Sequence, residues 1–519
     1  MSSVLELKKQ TLDLNRVAAS KFSQTMVKNT MIVPDNKPDI GRVMELSGNM
    51  NVTDVQIQND KVHIQGILSV YIVYAPDGES KTTAAGISYS QEFGHTVDMP
   101  KIAPDMDVSV DSDISSLDYS LINSRKINAR CTIDLSVKVS ERASMEIATD
   151  AADNSTIQIK KKRIRVCSSV PCERGDIIVR EQFELPAGKP SAKELLLTDV
   201  IPENVKATAT NGFVNISGQL KICALYNPEG ENAAPGFVEH IAQFNEQLAA
   251  QNAVDDMECE YDCKVGNVYC EVRENADGEN RVVGVEVLLN PNLKLNQITE
   301  ISAIEDAYST AGELSIKKQP FNIEHLLDNV TAQISHTATA GHNPASPGIS
   351  QILNASATAS IDNIEARDGR LVAKGTVKSH IIYLTDSPNV PIASMNSTSA
   401  FEHPLDIKNI DSNTACDARV FVNHTGYIIT GVNDVELRFV IGINVKAVST
   451  SNIELVTELE LQNESAPKDC ASYIIYFVQE GDTLWDIAKR YGATVKNIMK
   501  ENDLRDDNLS IGDKIKICV

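Results

Sequence analysis

The sequence predicts a mainly β, multidomain protein: three repeated, sandwich-like β-rich domains with short helices, followed by a small C-terminal βααβ domain. Three observations support this fold class. The chain has 519 residues, more than a single hydrophobic core usually holds. Three segments share the same internal spacings, and each contains runs in which apolar and polar residues alternate. The final stretch changes to a helical period.

The repeat is defined by spacing more than by residue identity. In each segment a glycine follows a proline by 28 positions, a tyrosine follows that glycine by 8, and a phenylalanine follows it by 26 or 27. The three sets are Pro38, Gly66, Tyr74 and Phe93; Pro190, Gly218, Tyr226 and Phe244; and Pro347, Gly375, Tyr383 and Phe401. Such agreement indicates three copies of one supersecondary unit.

Each unit is predicted to open with a short helix after the proline. In the second unit Ser191 and Glu194 have the spacing of a capping box ahead of the apolar run 195–197. In the first unit Asp39 precedes an apolar pair in the same way. The sequence therefore predicts a short helix at this position in each unit.

A tight turn and a long strand are predicted next. The turn residues are Asn59-Asp60, Asn211-Gly212 and Asp368-Gly369. In the first unit apolar residues then alternate over 62–74, which indicates a hairpin in a sheet with one buried face. The glycine inside this strand indicates a bulge or a close backbone approach, with a ligand contact as the alternative.

A later alternating run closes each unit and completes a domain of ~130 to 150 residues. These runs are 127–139, 282–289 and 435–445. The predicted organisation is an N-terminal leader at 1–20, repeats at 21–150, 164–300 and 308–455, a linker at 462–472 and a final domain at 473–519.

The opening of the first repeat resembles the SPOCS domain, a spore-coat-associated domain of endospore-forming bacteria. Residues 34–40 read Pro-Asp-Asn-Lys-Pro-Asp-Ile, followed by the strand pattern described above. The second repeat has Pro190-Ser191 in place of the proline and aspartate, and the third has the shorter segment 344–347. The resemblance implies a β-rich fold for all three repeats.

The net charge of −23 argues against nucleic acid and anionic membrane surfaces as partners. The one basic run, 160–163 followed by Arg165, is interpreted as a solvated linker that leads into a strand. No segment approaches the ~18 apolar residues of a membrane span, so no membrane insertion is expected. The start of the chain, 1–9, lacks the pattern of a secretory signal, which favours a cytoplasmic protein.

The sequence predicts no catalytic residues, no metal and no cofactor. The ten cysteines contain no C-x-x-C pair, and most are interpreted as small core residues. Cys259, Cys263 and Cys270 form the densest group, and a metal site is the alternative there. No metalloprotease, nucleotide-binding or hydrolase motif occurs, so the protein is predicted not to be an enzyme.

The C-terminal stretch reads as strand, helix, helix, strand. Asp482 is the predicted N-cap of the first helix, and Gly492 its end. Thr494 is predicted to cap the second helix. The inward residues are Leu484, Ile487, Ala488 and Tyr491 in the first helix and Val495, Ile498 and Met499 in the second. This pattern closely resembles LysM over nearly the whole of that domain.

The LysM resemblance implies binding of N-acetylglucosamine-containing glycans such as peptidoglycan through two loops. The corresponding residues here are Gly481, Asp482, Thr483 and Leu484, and Asn508, Leu509, Ser510 and Ile511. An alternative is that the first loop is only the turn and helix cap that the fold requires.

Trp485, the only tryptophan of the chain, lies one position off the inward stripe of the first helix, about 100° round it. It is predicted to be either a flank of the domain core or an exposed anchor for a protein partner, and the anchor is preferred.

Three SPOCS-like repeats with one LysM resemble clostridial-type spore-coat morphogenetic proteins. The resemblance implies a scaffold in the mother-cell cytoplasm, at the forespore surface and in the spore coat. Its partner would be the coat basement-layer morphogenetic ATPase. Two other functions remain open: a peptidoglycan-binding protein of the spore or cell wall, and an accessory that targets a hydrolase.

Overall fold

The structure, a computed structural model, is strand-rich throughout its three repeats. The described residues are 3–78, 83–152, 156–172, 175–230, 233–251, 253–255, 257–341, 347–367, 370–387, 390–407, 410, 414–431, 434–462 and 473–518. Among them, the two helices are short and both lie in the C-terminal domain, which confirms the predicted mainly β, multidomain class.

The first repeat is a sandwich of two three-stranded antiparallel sheets. A short strand, β1 (Ser3–Val4), precedes the repeat. The strands of the repeat are β2 (Leu7–Ile32), β3 (Ile40–Gln58), β4 (Lys61–Pro76), β5 (Ala85–Asp98), β6 (Asp107–Asn123) and β7 (Lys126–Ala151). One sheet has the order β3-β4-β5 and the other β2-β7-β6. Their facing apolar residues form one core, because buried residues alternate along β4 and β7.

The second repeat has the same two-sheet plan with its first strand divided. Its strands are β8 (Ile157–Pro171), β9 (Ile177–Glu184), β10 (Ala192–Thr210), β11 (Phe213–Pro228), β12 (Gly236–Ala249), β13 (Glu258–Glu274) and β14 (Asn280–Ser309). The sheet β10-β11-β12 packs on β9, β14 and β13 around a second core.

The third repeat follows the plan again. Its strands are β15 (Glu313–Ala340), β16 (Ile349–Arg367), β17 (Arg370–Thr385), β18 (Ile392–Leu405), β19 (Thr414–Ile429) and β20 (Val435–Gln462). The sheet β16-β17-β18 packs on β15, β20 and β19 around a third core.

The glycine of each repeat lies directly opposite the repeat's phenylalanine in the neighbouring strand. The pairs are Gly66 with Phe93, Gly218 with Phe244 and Gly375 with Phe401. A Cβ on Gly66 would lie 2.6 Å from both the Asn51 carbonyl oxygen and the Phe93 ring. The strand on the other side has a register shift at the same level, between Val52 and Asp54. Both the predicted bulge and the predicted close approach are therefore confirmed.

The tyrosine lies at a fixed sequence separation from the proline because the two residues are hydrogen-bonded in the fold. The Tyr74 hydroxyl donates to the Pro38 carbonyl at 2.8 Å, and the Tyr226 hydroxyl donates to the Pro190 carbonyl at 3.2 Å. Both tyrosine side chains are buried, so each hydroxyl needs an internal acceptor. The proline turn is thereby attached to the core.

The predicted helix after the proline is wrong. The segments form β3 and β10 instead, and both strands contain register shifts near their starts, such as the one between Leu195 and Leu197. Leu195 packs on its own sandwich core, whereas Leu196 and Leu197 pack on the other repeats. A bulged strand buried on both sides produces the same apolar run as a helix.

Equivalent residues of the three repeats meet in a shared apolar cluster. Its members include Met44 and Val73 of the first repeat, Leu196 and Leu225 of the second, and Leu353 and Ile382 of the third. Within each repeat these two positions are 29 residues apart. The three sandwiches are therefore arranged around a common centre.

A second shared region, here called the hub, is built from the strand ends beyond the sandwiches. β7, β14 and β20 are 26, 30 and 28 residues long, and their C-terminal halves pack together with β8 and β15. The buried hub residues are Ile147, Ala148, Ile164, Val166, Ile301, Ala303, Ile304, Ala307, Ile453, Leu455, Val456 and Leu459.

Several predicted boundaries differ from this arrangement. β2 runs without interruption through the predicted end of the leader at residue 20 and pairs with β7 along its whole length. The basic run 160–163 lies within β8, where Lys161 contacts Asp150 at 3.1 Å and Lys160 contacts Glu305 at 3.5 Å. The basic run is therefore part of a paired strand and not a linker. Its charge is balanced by the acidic neighbours.

The turn chemistry is confirmed where it is described. Asn59 and Asp60 have φ values of 51° and 59°, as a tight hairpin turn requires, and Gly212 has φ 82°. The predicted turn at 368–369, most of the segment 344–347 and nearly all of the linker 462–472 lie outside the described residues. Among the described helices, none has the length and apolar character to cross a membrane.

We predict that Gly66→Ala lowers the free energy of unfolding by about 1–3 kcal/mol, because the added methyl overlaps the Asn51 carbonyl and the Phe93 ring. Gly94→Ala, one strand away, is the matched control, since a Cβ there meets nothing within 4 Å. Denaturant unfolding of both variants measures the difference. Equal stability of the two variants would contradict the packing role of Gly66.

Candidate functional site

The C-terminal domain has the predicted strand, helix, helix, strand order. Its elements are β21 (Tyr473–Phe477), α1 (Leu484–Tyr491), α2 (Val495–Glu501) and β22 (Lys514–Cys518). β21 and β22 pair antiparallel, with Tyr473 opposite Cys518. Leu484, Ile487 and Ile498 are buried between the helices and the sheet. This small core explains the apolar spacing seen in the sequence.

The helix caps follow the sequence closely, with one correction. Thr483, not Asp482, is the N-cap of α1, because its hydroxyl oxygen accepts from the Asp486 backbone NH. Gly492 ends α1 with φ 64°, and Thr494 caps α2, as predicted. Asp482 instead accepts from the Tyr476 hydroxyl at 2.6 Å and from the Gln479 backbone NH at 2.9 Å. These hydrogen bonds, first that from Tyr476, lower the pKa of Asp482.

The two candidate ligand loops lie side by side. The Val478 NH donates to the Asp513 carbonyl, and the Gly512 NH donates to the Val478 carbonyl, both at 2.9 Å. Within the second loop the Ser510 NH donates to the Asp513 carboxylate at 2.8 Å. These bonds join the end of β21 to the start of β22, so both loops form one edge of the domain.

The candidate ligand-binding residues differ in their exposure to solvent. The exposed ones are Gly481, Thr483, Asn508, Ser510 and Ile511, and Asp482 and Leu509 are half-buried. Ile511 is 72% exposed, the largest exposed fraction among the large apolar side chains that the structure describes. Leu484 is buried in the core. The loop edge therefore combines an apolar tip with exposed hydroxyl and amide groups.

Trp485 is half-buried between the C-terminal domain and the hub. Its indole NH donates to the Asp306 carboxylate at 2.9 Å, and its ring meets the Tyr308 ring edge-on at a centroid distance of 4.9 Å. The Tyr308 hydroxyl donates to the Ala493 carbonyl at 2.7 Å. Asp306 and Tyr308 belong to β14, so Trp485 anchors its own domain to the body of the chain.

Asp306 is the centre of this contact. The Lys489 ammonium lies 2.7 Å from its carboxylate, and the Lys318 ammonium lies 3.8 Å from it. Burial alone raises the pKa of Asp306, but hydrogen bonds from Lys489 and Trp485 outweigh this effect and hold the pKa below its usual value. Burial also raises the pKa of Tyr308 to about 12, which keeps its hydroxyl a donor. The carboxylate is thus ionised and fully engaged near neutral pH.

An exposed apolar face lies on the opposite side of the domain from its core. Tyr473, Ile475 and Phe477 alternate along β21 and are 53%, 63% and 55% exposed. Lys514 and Lys516 of β22 lie over the Phe477 and Tyr473 rings. The period-2 pattern of β21 could have indicated this face from the sequence, because both of its faces are apolar or aromatic.

The cysteine group lies on a single strand of the second repeat. Cys259, Cys263 and Cys270 are free thiols on β13 that pack against the second core. Burial raises the pKa of Cys263 to about 12, so its thiolate is disfavoured. No group of three or more potential metal ligands occurs among the described side chains. Cys518, at the end of β22, is disulfide-bonded.

Geometry and domain comparison agree on the kind of protein. Repeated β sandwiches joined to one βααβ module define a multidomain binding protein. The model described as "SipL, SPOCS domain" matches residues 39–122 and 348–430, and the LysM domain model matches 476–517. The chain therefore carries SPOCS domains and a C-terminal LysM domain. These non-catalytic binding domains support a sporulation-related protein with peptidoglycan-binding capacity.

One curated relative is similar over a short segment. "Uncharacterized protein YkzQ" of Bacillus subtilis (strain 168) is 44% identical over 46 residues, which are 9% of this chain and 61% of the relative. The chain thus spans about three fifths of the length of that relative. No solved structure matches the chain.

We predict that Asp306→Ala releases the LysM domain from the hub, because Trp485 and Lys489 lose their shared acceptor. Trp485 is the only tryptophan, so its emission reports the contact directly. The expected result is a red-shifted emission that acrylamide quenches more strongly. Glu305→Ala is the matched control, since Glu305 pairs with Lys160 on the hub. An unchanged spectrum in Asp306→Ala would show that the domain is held by other contacts.

The same contact is predicted to be acid-sensitive. Because the folded-state pKa of Asp306 is lowered, its stabilising contribution is complete above the ordinary aspartate pKa of about 3.9 and is lost as the pH falls through the lower folded value. Trp485 emission should therefore stay constant from neutral pH down to about pH 4 and shift only below it. A transition centred between pH 5 and 7 would assign the contact to another group.

Proposed function

We propose that this protein is a non-enzymatic adaptor in spore-coat assembly. In this proposal the LysM domain links the coat basement-layer morphogenetic ATPase to the forespore surface, and the protein acts in the mother-cell cytoplasm. The SPOCS and LysM domains support a sporulation role. The adaptor role itself rests on the shape and chemistry of the exposed surfaces.

The exposed face of β21 is the observation that carries this function. Exposed contiguous apolar side chains rimmed by charge are typical of protein interaction surfaces. Tyr473, Ile475 and Phe477 form such a row, and the two lysines beside it add positive charge. Trp485 holds the domain on the hub, so the three sandwiches and the LysM domain can act as one rigid scaffold.

Peptidoglycan binding is the second function that a specific observation favours. The loop edge carries exposed Asn508 and Ser510 beside the apolar Ile511. Hydroxyl and amide groups next to an apolar surface suit an N-acetylated sugar, whose methyl and hydroxyl groups need both. We infer that any glycan binds at this edge, through residues of 481–484 and 508–511.

The two surfaces can be separated by one substitution each. We predict that Ile475→Glu lowers capture of the purified basement-layer ATPase by the full chain at least tenfold, because it places a charge in the apolar row. Ile511→Glu should leave that capture unchanged and instead reduce retention on purified peptidoglycan. Both side chains are largely exposed, at 63% and 72%, so each variant is the folding control for the other.

Pull-downs of the two full-length variants on both baits measure this separation. Loss of ATPase capture in Ile511→Glu but not in Ile475→Glu would overturn the assignment of the surfaces. Retention on peptidoglycan with no capture of the ATPase by the unmodified chain would reject the adaptor function in favour of glycan binding.

A further inference from the structure

Three lysines occupy equivalent positions in the last strand of each repeat. Each lies 11 positions after the first buried residue of its strand, which is Ile127, Val283 or Val435. The lysines are Lys138 on β7, Lys294 on β14 and Lys446 on β20. The residues on both sides of each lysine are buried in the sandwich cores, so each lysine projects away from its own core.

The three lysines project into the region where the repeats meet. β7, β14 and β20 contact one another, and the charges of Lys138 and Lys446 act on Lys294. The Lys138 ammonium lies 3.0 Å from Asp417 of the third repeat, and the Lys446 ammonium lies 3.5 Å from Glu260 of the second. Each of these ion pairs joins two different repeats. The group Lys138, Lys294 and Lys446 is called the lysine cluster below.

Lys294 is the exceptional member of the cluster. It is half-buried, and its ammonium makes no ion pair or hydrogen bond with any side chain that the structure describes. Burial lowers its pKa; the neighbouring Lys446 and Lys138 charges also lower it, against the opposing effect of Glu260 and Asp417. A half-buried ammonium without a partner is costly, so this position favours a bound anion.

The local charges leave an excess of positive charge. Arg419 also lies 3.8 Å from Glu260 and adds to the lysines. Among the described side chains, the carboxylates that pair with these cations are Glu260 and Asp417, although the whole chain carries a net charge of −23. A dianion would balance the surplus. An oxyanion is the suitable class, because its several oxygens can accept from ammonium groups on different repeats.

The neighbouring cavity defines the limits of the site. A space of about 400 Å³ lies next to the cluster and is lined by all three repeats. Its walls carry Asp111, Asp113 and Asp134, which repel an anion, and Lys264 pairs there with Asp262. The anion is therefore expected at the lysines themselves. Lys138 and Asp417 are 40% and 50% exposed, so solvent reaches the cluster from their side.

We propose that the lysine cluster binds a small dianionic oxyanion, with the chemistry of phosphate or sulfate, that ties the three repeats together. The anion is held by the ammonium groups of Lys138, Lys294 and Lys446. It stabilises the junction of the sandwiches because it contacts strands of every repeat. This site is separate from the loop edge and from the β21 face.

The test is thermal unfolding of the full chain in sodium phosphate, sodium sulfate or sodium chloride at equal ionic strength. Low concentrations of phosphate or sulfate, below those at which these salts stabilise proteins by exclusion from the surface, should raise the midpoint with the logarithm of concentration, and chloride should not. In Lys294→Met the anion-dependent rise should be lost or displaced to at least tenfold higher concentration. Its midpoint in chloride should be equal to or above that of the unmodified chain, because an unpaired charge has been removed.

Lys264→Met is the matched control, because Lys264 lies on the neighbouring strand β13, opposite Asn290, and donates to the Ser112 carbonyl at 2.8 Å. This variant should keep the full response to phosphate. An equal rise in all three salts, or an undiminished response in Lys294→Met, would overturn the proposal. A lower midpoint of Lys294→Met in chloride would also overturn it, because Lys294 would then be a structural cation.

A further arm with phosphoserine distinguishes the source of the oxyanion. A response to phosphate and sulfate without a response to phosphoserine supports a free ion. An equal response to phosphoserine supports a phosphorylated side chain as the occupant, with the same three lysines as donors. Lys294→Met should abolish either response.

Discussion

The architecture depends on three strands, β7, β14 and β20, that each serve two structures at once. The N-terminal half of each strand closes a sandwich, and the C-terminal half enters the hub. At ~3.3 Å per residue these strands extend roughly 85–100 Å. Because one continuous backbone runs through both parts, a sandwich cannot rotate without disturbing the hub. The lysine cluster lies between the two parts, where a buried apolar face gives way to charge.

The position of the LysM domain follows from the same constraint. Asp306 and Tyr308 lie near the end of β14, so the contact with Trp485 is made by a strand that the hub already fixes. The domain therefore takes its orientation from the body of the chain. Its loop edge and its β21 face are exposed in this position. A scaffold that presents two surfaces at a set angle can bring two partners together.

The local patterns were sufficient to predict the sandwiches and the LysM fold, but not the way they join. The spacing of Gly66 and Phe93 reflects a contact between neighbouring strands of one sheet. Thr494 caps the helix that follows it directly in the sequence. Both features are short-range. The apolar run at the start of β10 predicts a helix but forms a bulged strand, because burial on both sides gives an apolar run in either structure. Trp485 and Asp306 are 179 residues apart, and nothing in either sequence neighbourhood marks the other.

The pairing of β1 and β2 has a consequence for synthesis on the ribosome. Among the described strands, β2 pairs with β7 alone, and β1 pairs with β20, where Ser3 lies opposite Leu461. During synthesis β2 therefore remains unpaired until residue 151 has left the ribosome, and it carries the exposed apolar side chains Phe22 and Met26. The hub cannot be completed until residue 461 has been synthesised. Such non-local pairing slows folding and exposes strand edges to other chains.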